Sequence, residues 1–137
     1  MPTLTTLPTE MVLLGWTAIL LLIQIILQST SGVQELGLTY AMGPQDEERE
    51  PKGILARRLK RALKNLLETF PAFAALALAL AATGRTGGAG ALGAHLYFWS
   101  RVAYLPLYAA GVPVARTLAF FAGYIGLLMM AYRLLAG

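Results

Sequence analysis

The chain has 137 residues, 57% of them hydrophobic and 13% charged, with a net charge of +4 and a mean hydropathy of +0.62. A soluble domain carries about a quarter charged residues, so this composition reads as one membrane domain, 1–137, and the basic excess is no argument for a nucleic-acid partner. The absence of cysteine and the single histidine, His95, exclude disulfides, thiolate zinc sites, cysteine nucleophiles and paired-histidine metal sites, and no metal is expected.

From Met11 to Gln34 no side chain is charged, and Trp16 stands near the start as an interfacial ring would. A span needs roughly 20 mostly apolar residues, so the first helix is predicted over about 11–31. No Lys or Arg precedes it and no small-residue cleavage site follows, which argues against a cleaved signal peptide. Gly32 to Gly53 is polar, with a Gly43-Pro44 turn signal and the acidic run Asp46, Glu47, Glu48. A second helix follows over 54–83. Its length of about 45 Å exceeds the hydrocarbon core, and its basic first turns give way to an Ala/Leu-rich remainder.

Residues 83–90 form a Gly-rich turn; no GxxxxGK[ST] pattern and no preceding strand support a phosphate loop there. The third helix is predicted over 91–110, interrupted by Arg101, and Gly111-Val112-Pro113 makes the next turn with proline suited to a helix's first residue. The fourth helix covers 114–135. The expected fold is an all-α integral membrane antiparallel four-helix bundle. Seven of the eleven basic residues, Arg49, Lys52, Arg57, Arg58, Lys60, Arg61 and Lys64, cluster between 49 and 64. The positive-inside rule then makes the 32–53 loop cytoplasmic, with both termini and the 83–90 turn outside.

Charges within spans are costly, so each is a functional candidate. Arg61, Asn65 and Glu68 recur at i, i+4, i+7, with Lys64 beside them; Arg101, Tyr104 and Tyr108 recur at i, i+3, i+7; Arg116 opens the fourth helix at the same end. Antiparallel topology brings these to one level, as a cationic pocket open to the cytoplasm and suited to a small polyanion. A second reading stands beside it, in which Arg61, Glu68 and Arg101 form a buried ion-pair network that holds helices together. Arg57, Arg58 and Lys60 read as a basic face toward solvent or lipid headgroups. His95, Tyr97, Phe98 and Trp99 read as packing or interfacial residues, and the Gly and Ala positions of 87–94 as allowing close helix approach.

The string R-A-L-K-N-L-L-E-T-F-P, Arg61 to Pro71, resembles the second-helix signature of the MAPEG family, the membrane-associated proteins of eicosanoid and glutathione metabolism. R-V-A-Y-L-P-L-Y, Arg101 to Tyr108, and G-V-P-V-A-R-T, Gly111 to Thr117, are similar to the helix 3–turn–helix 4 region of bacterial members. The resemblance covers about 54–135. It implies a homotrimer in a bacterial inner membrane, with glutathione as co-substrate bound between subunits at the cytoplasmic half. Arg61, Lys64, Asn65, Glu68, Arg101, Tyr104 and Tyr108 then match glutathione-binding positions, and Arg116 the arginine that stabilises the thiolate.

Departures from the family pattern are specific. Lys64 replaces an arginine of some members, Tyr104 a histidine of some mammalian ones, and Phe120 a tyrosine of others. Helix 1 lacks an arginine, leaving Gln24 and Gln28 as its strongly polar candidates. The function implied is a membrane-bound glutathione transferase, with or without peroxidase activity, acting on hydrophobic electrophiles that reach it from the bilayer between helices 1 and 4. The alternative is a non-catalytic lipid-binding or lipid-presenting protein of the same fold. A transporter lacks support, because the charges line only one half of the membrane.

Overall fold

A computed structural model of the chain describes residues 7–36 and 53–136. The Gly43-Pro44 turn, the acidic run, Arg49, Lys52 and the extreme termini lie outside the described residues. Four helices follow in order: α1 (Thr9–Leu36), α2 (Ile54–Ala82), α3 (Ala89–Ala110) and α4 (Pro113–Ala136). Among the described residues there is no strand. Helix α1 runs past Ser31 to Leu36, because Gly32 alone does not stop a helix already propagating.

Contacts pair residues whose numbers rise on one helix as they fall on the next. Thr69 meets Tyr97 and Asn65 meets Arg101 between α2 and α3, while Gly90 lies beside Arg133 and Gly93 beside Gly126 between α3 and α4. Helices α2 and α3, and α3 and α4, are therefore antiparallel. Helix α1 packs on α2 and α3, and α4 on α3 and α2; among the described residues the backbones of α1 and α4 stay apart, while the side chains of Glu10 and Arg133 converge at Gly90.

Lipid tails are as apolar as leucine, so helices associate in a bilayer through close packing and hydrogen bonds rather than through a hydrophobic gain. Both are present. The buried stripe of α2, Ala56, Leu59, Ala62, Leu66, Phe73, Ala77 and Leu80, follows three- and four-residue spacing, and Phe73 stacks on Tyr97 of α3 with ring centroids 4.4 Å apart. Helices α3 and α4 approach most closely at Gly93 and Gly126, where a Cβ on either would collide with the other's carbonyl oxygen.

Two helix ends are built alike. After α2 the N–H of Gly84 bonds Ala81 O and that of Arg85 bonds Leu80 O; after α3 the N–H of Gly111 bonds Tyr108 O and that of Val112 bonds Leu107 O. These are Schellman motifs, and Gly84 and Gly111 adopt the left-handed conformation such motifs require, with φ of 69° and 75°. Pro113 then opens α4, where its missing N–H costs nothing.

At the opposite end from Gly111, Glu10 of α1 accepts from the N–H of Gly87 at 3.0 Å, placing its carboxylate at the N-terminus of α3. Arg133 donates to Arg85 O at 2.9 Å, and Arg85 to Leu134 O at 2.8 Å. The start of α1, the α2–α3 turn and the end of α4 are thus tied together.

Outside this core the surface is apolar. Trp16, Ile26, Leu78, Leu92, Phe121 and Leu128 are among the exposed large side chains, and three helices (Thr9–Thr30 of α1, α2 and α4) are long and apolar enough to cross a membrane. Helix α3 has the length, and it turns its polar Ser100, Arg101 and Tyr104 inward. The architecture is that of an all-α four-helix membrane bundle.

Candidate functional site

The polar cluster is built on α3. Arg101, Tyr104 and Tyr108 share one helical face, and α2 and the first turn of α4 close on it. Arg101 is 2% exposed and donates Nη1 to Asn65 Oδ1 at 2.6 Å. Its guanidinium carbon lies 4.2 Å from the centre of the Tyr104 ring. The Tyr104 and Tyr108 rings follow at 5.5 Å, and the guanidinium of Arg116 lies 4.5 Å from the centre of the Tyr108 ring. Cation, ring, ring and cation therefore form a ladder from mid-bundle to the α3–α4 turn, each step a cation–π or aromatic contact.

Among the described residues no carboxylate pairs with Arg101. Its Nε and Nη2 are buried and have no hydrogen-bond partner among the described residues. A buried guanidinium with a single neutral acceptor is electrostatically incomplete, and an anion or a further acceptor would complete it.

The helix 2 residues divide. Asn65 is half-buried and faces α3, whereas Arg61, Lys64 and Glu68 are exposed on the single subunit. Arg61 and Asn65 differ by about 40° around the helix, so a small rotation carries the stripe from the α3 interface onto the outer surface. Within the subunit, Arg61 and Glu68 therefore do not complete a buried network with Arg101. The site is an edge: Asn65, Arg101 and Tyr104 lie inside it, Tyr108 and Arg116 are half-buried, and Arg61, Lys64 and Glu68 stand on the rim.

Two further polar residues are buried or half-buried in the bundle. Gln24, weighed in the sequence as one of two polar positions of α1, is 2% exposed, and both its amide atoms lack a partner among the described residues. It lies about 21 Å along α1 from Glu10, while Arg101 lies about 17 Å along α3 from Gly90, where Glu10 sits, so the two share a level. Arg58, read from the sequence as part of a headgroup-facing basic face, instead donates Nη1 to Ala109 O of α3 at 3.1 Å. The available signal was its spacing of seven residues from Asn65, which puts both on one face.

The residues read as packing groups behave variously. Tyr97 is buried and its hydroxyl shares a hydrogen bond with Thr69 Oγ1 at 2.8 Å. Trp99 is exposed and donates Nε1–H to Nδ1 of exposed His95, at 3.3 Å, on a face of α3 turned away from Arg101.

Comparison with known proteins adds one finding. The sequence model of the MAPEG family matches residues 13–136, from the first turns of α1 to the end of α4. Searches of curated proteins and of solved structures give no match. The family match takes in every residue of the ladder and its rim, and with the four-helix membrane bundle it settles the kinship: the chain belongs to the MAPEG family.

Proposed function

We propose that the protein is a glutathione-dependent transferase acting on hydrophobic electrophiles dissolved in the bilayer. The MAPEG family includes glutathione transferases and related membrane proteins. The observation that carries the finer reading is the buried Arg101 guanidinium with two unpartnered nitrogens, continued by Tyr104, Tyr108 and Arg116 to one end of the bundle. That set suits a small peptide with two carboxylates and a thiol. Arg61, Lys64, Asn65, Arg101, Tyr104 and Tyr108 would orient the peptide, and Glu68 would accept from its ammonium group.

Arg116 is the residue assigned to the thiol. An ordinary thiol has a pKa of about 8.5 and is mostly protonated at neutral pH; a neighbouring guanidinium favours the thiolate. Lowering that pKa by about two units corresponds to about 2.7 kcal/mol of differential stabilisation. The thiolate sulfur then attacks the electrophilic carbon of the acceptor, forming a C–S bond as the leaving group departs or the adjacent double bond takes up a proton. With glutathione and purified wild-type protein in detergent, saturable heat of binding and ultraviolet thiolate absorbance are expected together. Arg116→Ala should keep binding and lose the thiolate signal by about tenfold or more. Full turnover of Arg116→Ala at saturating glutathione would remove this assignment, and absence of binding to wild type at millimolar glutathione would favour a lipid-binding relative.

The assembly is part of the proposal. Glu68 lies about 21 Å along α2 from Ile54, on an exposed face, at a depth where a carboxylate facing lipid is expensive. A homotrimer would cover that face and bring a second subunit to the rim of the site. The acceptor would enter from lipid between α1 and α4. The clustering of basic residues between 49 and 64 supports a cytoplasmic orientation for the site, in a bacterial inner membrane. Light scattering in detergent is expected to give three times the subunit mass; a monomer mass would end this part of the reading.

A further inference from the structure

The turn between α3 and α4 carries both halves of the outer step of the ladder. Tyr108 lies just before it and Arg116 just after, so the turn sets how the guanidinium rests on the ring. The Schellman bonds of Gly111 and Val112 occupy the carbonyls of Tyr108 and Leu107 and leave that of Ala109 without an intrahelical donor. Arg58 supplies one from α2. Its guanidinium also lies flat against the α-carbon of Gly111, where a Cβ would fall 2.7, 2.8 and 2.9 Å from Nη2, Cζ and Nη1. Glycine is favoured at this position by its φ of 75°, and a Cβ here would also push the Arg58 guanidinium off its seat. The positive charge also sits at the C-terminal end of α3, where the helix dipole favours it.

We propose that Arg58 is a positioning residue for Arg116: seated on Gly111 and bonded to Ala109 O, it fixes the α3–α4 turn so that Arg116 is held over Tyr108. Lysine would not substitute fully, because an ammonium reaches the carbonyl as a point donor and cannot cover Gly111 as a plane. In its last step, the presentation of Arg116 to a thiol, the inference rests on the glutathione reading given above. The geometric step does not.

The test separates the two. Fluorotyrosine placed at position 108 reports the cation over that ring through its fluorine resonance, in purified protein without glutathione. Arg116→Ala moves the resonance to the position of an uncovered ring. Arg58→Gln is expected to move it at least half of that distance, Arg58→Lys less, and Gly111→Ala about as far as Arg58→Gln. Should Arg58→Gln fail to elute as wild type does, Arg58→Lys and Gly111→Ala decide the matter. A resonance left at its wild-type position in the folded variants overturns the proposal.

The same variants titrated with glutathione are expected to show about five- to tenfold less thiolate at neutral pH, with binding affinity changed less than twofold. A merely structural weakening would not produce that split. Thiolate retained in full by Arg58→Gln, where wild type forms it, also overturns the proposal. A moved resonance with no thiolate in wild type upholds the role of Arg58 and removes the glutathione reading; wild-type thiolate with an unmoved resonance does the reverse.

Discussion

Gly126→Val is expected to prevent α3 and α4 from packing, so that the protein no longer elutes as a single species from detergent. A Cβ at Gly126 would press on the carbonyl oxygen of Gly93 and, at 2.9 Å, on the backbone nitrogen of Tyr97. Backbone cannot rotate away as a flexible side chain can, so relief requires the two helices to separate. Their separation would loosen Tyr97, with its bond to Thr69 and its stack on Phe73. Overpacking by a methyl group typically costs about 1–3 kcal/mol, and valine adds three carbons at a backbone contact. Gly126→Ala should therefore show the same defect in milder form, as a lowered unfolding midpoint in mixed micelles. Gly15→Ala supplies the contrast, since nothing lies within 4 Å of a Cβ there and alanine is the better helix former. Equal behaviour of Gly126→Val and Gly15→Ala would refute the close-approach account.

Length and apolarity make the helices legible in the sequence, because a span must cover a fixed thickness. The level of the polar cluster is legible too: antiparallel order and 1.5 Å per residue bring Asn65 and Arg101 together, as their hydrogen bond confirms. What periodicity does not give is the absolute rotation of a helix. Arg61, Asn65 and Glu68 make one stripe, yet only Asn65 turns toward α3, because the seam is set by Ala62, Leu66 and Phe73 on the adjoining arc. The place of Arg58 is less legible still. Its partner is a main-chain carbonyl 51 residues away, and a carbonyl carries no residue identity for a pattern to reveal. Family resemblance names the stripe but does not say which part of it one subunit buries.

Asn65→Leu is expected to destabilise the bundle more than the double variant Asn65→Leu/Arg101→Met. Asn65 Oδ1 is the hydrogen-bond acceptor of Arg101, and hydrogen bonds to charged groups contribute about 1.5–3 kcal/mol. Leucine at position 65 would leave all three guanidinium nitrogens without an acceptor, since Nε and Nη2 already lack one among the described residues. Methionine at position 101 then removes the charge itself while keeping much of the side chain's length, so part of the loss returns. Arg101→Met alone should cost less than Asn65→Leu, because the half-buried Asn65 can turn toward the rim. The two sites should thus be non-additive by about 1 kcal/mol or more in unfolding measurements. Glutathione binding should follow a different order: weak in all three variants, and not restored in the double variant with the fold. Additive stability effects would show that Asn65 does not hold Arg101. Wild-type binding by Arg101→Met would show that the buried guanidinium serves the bundle and not the ligand, leaving Arg116 as the anion's principal partner.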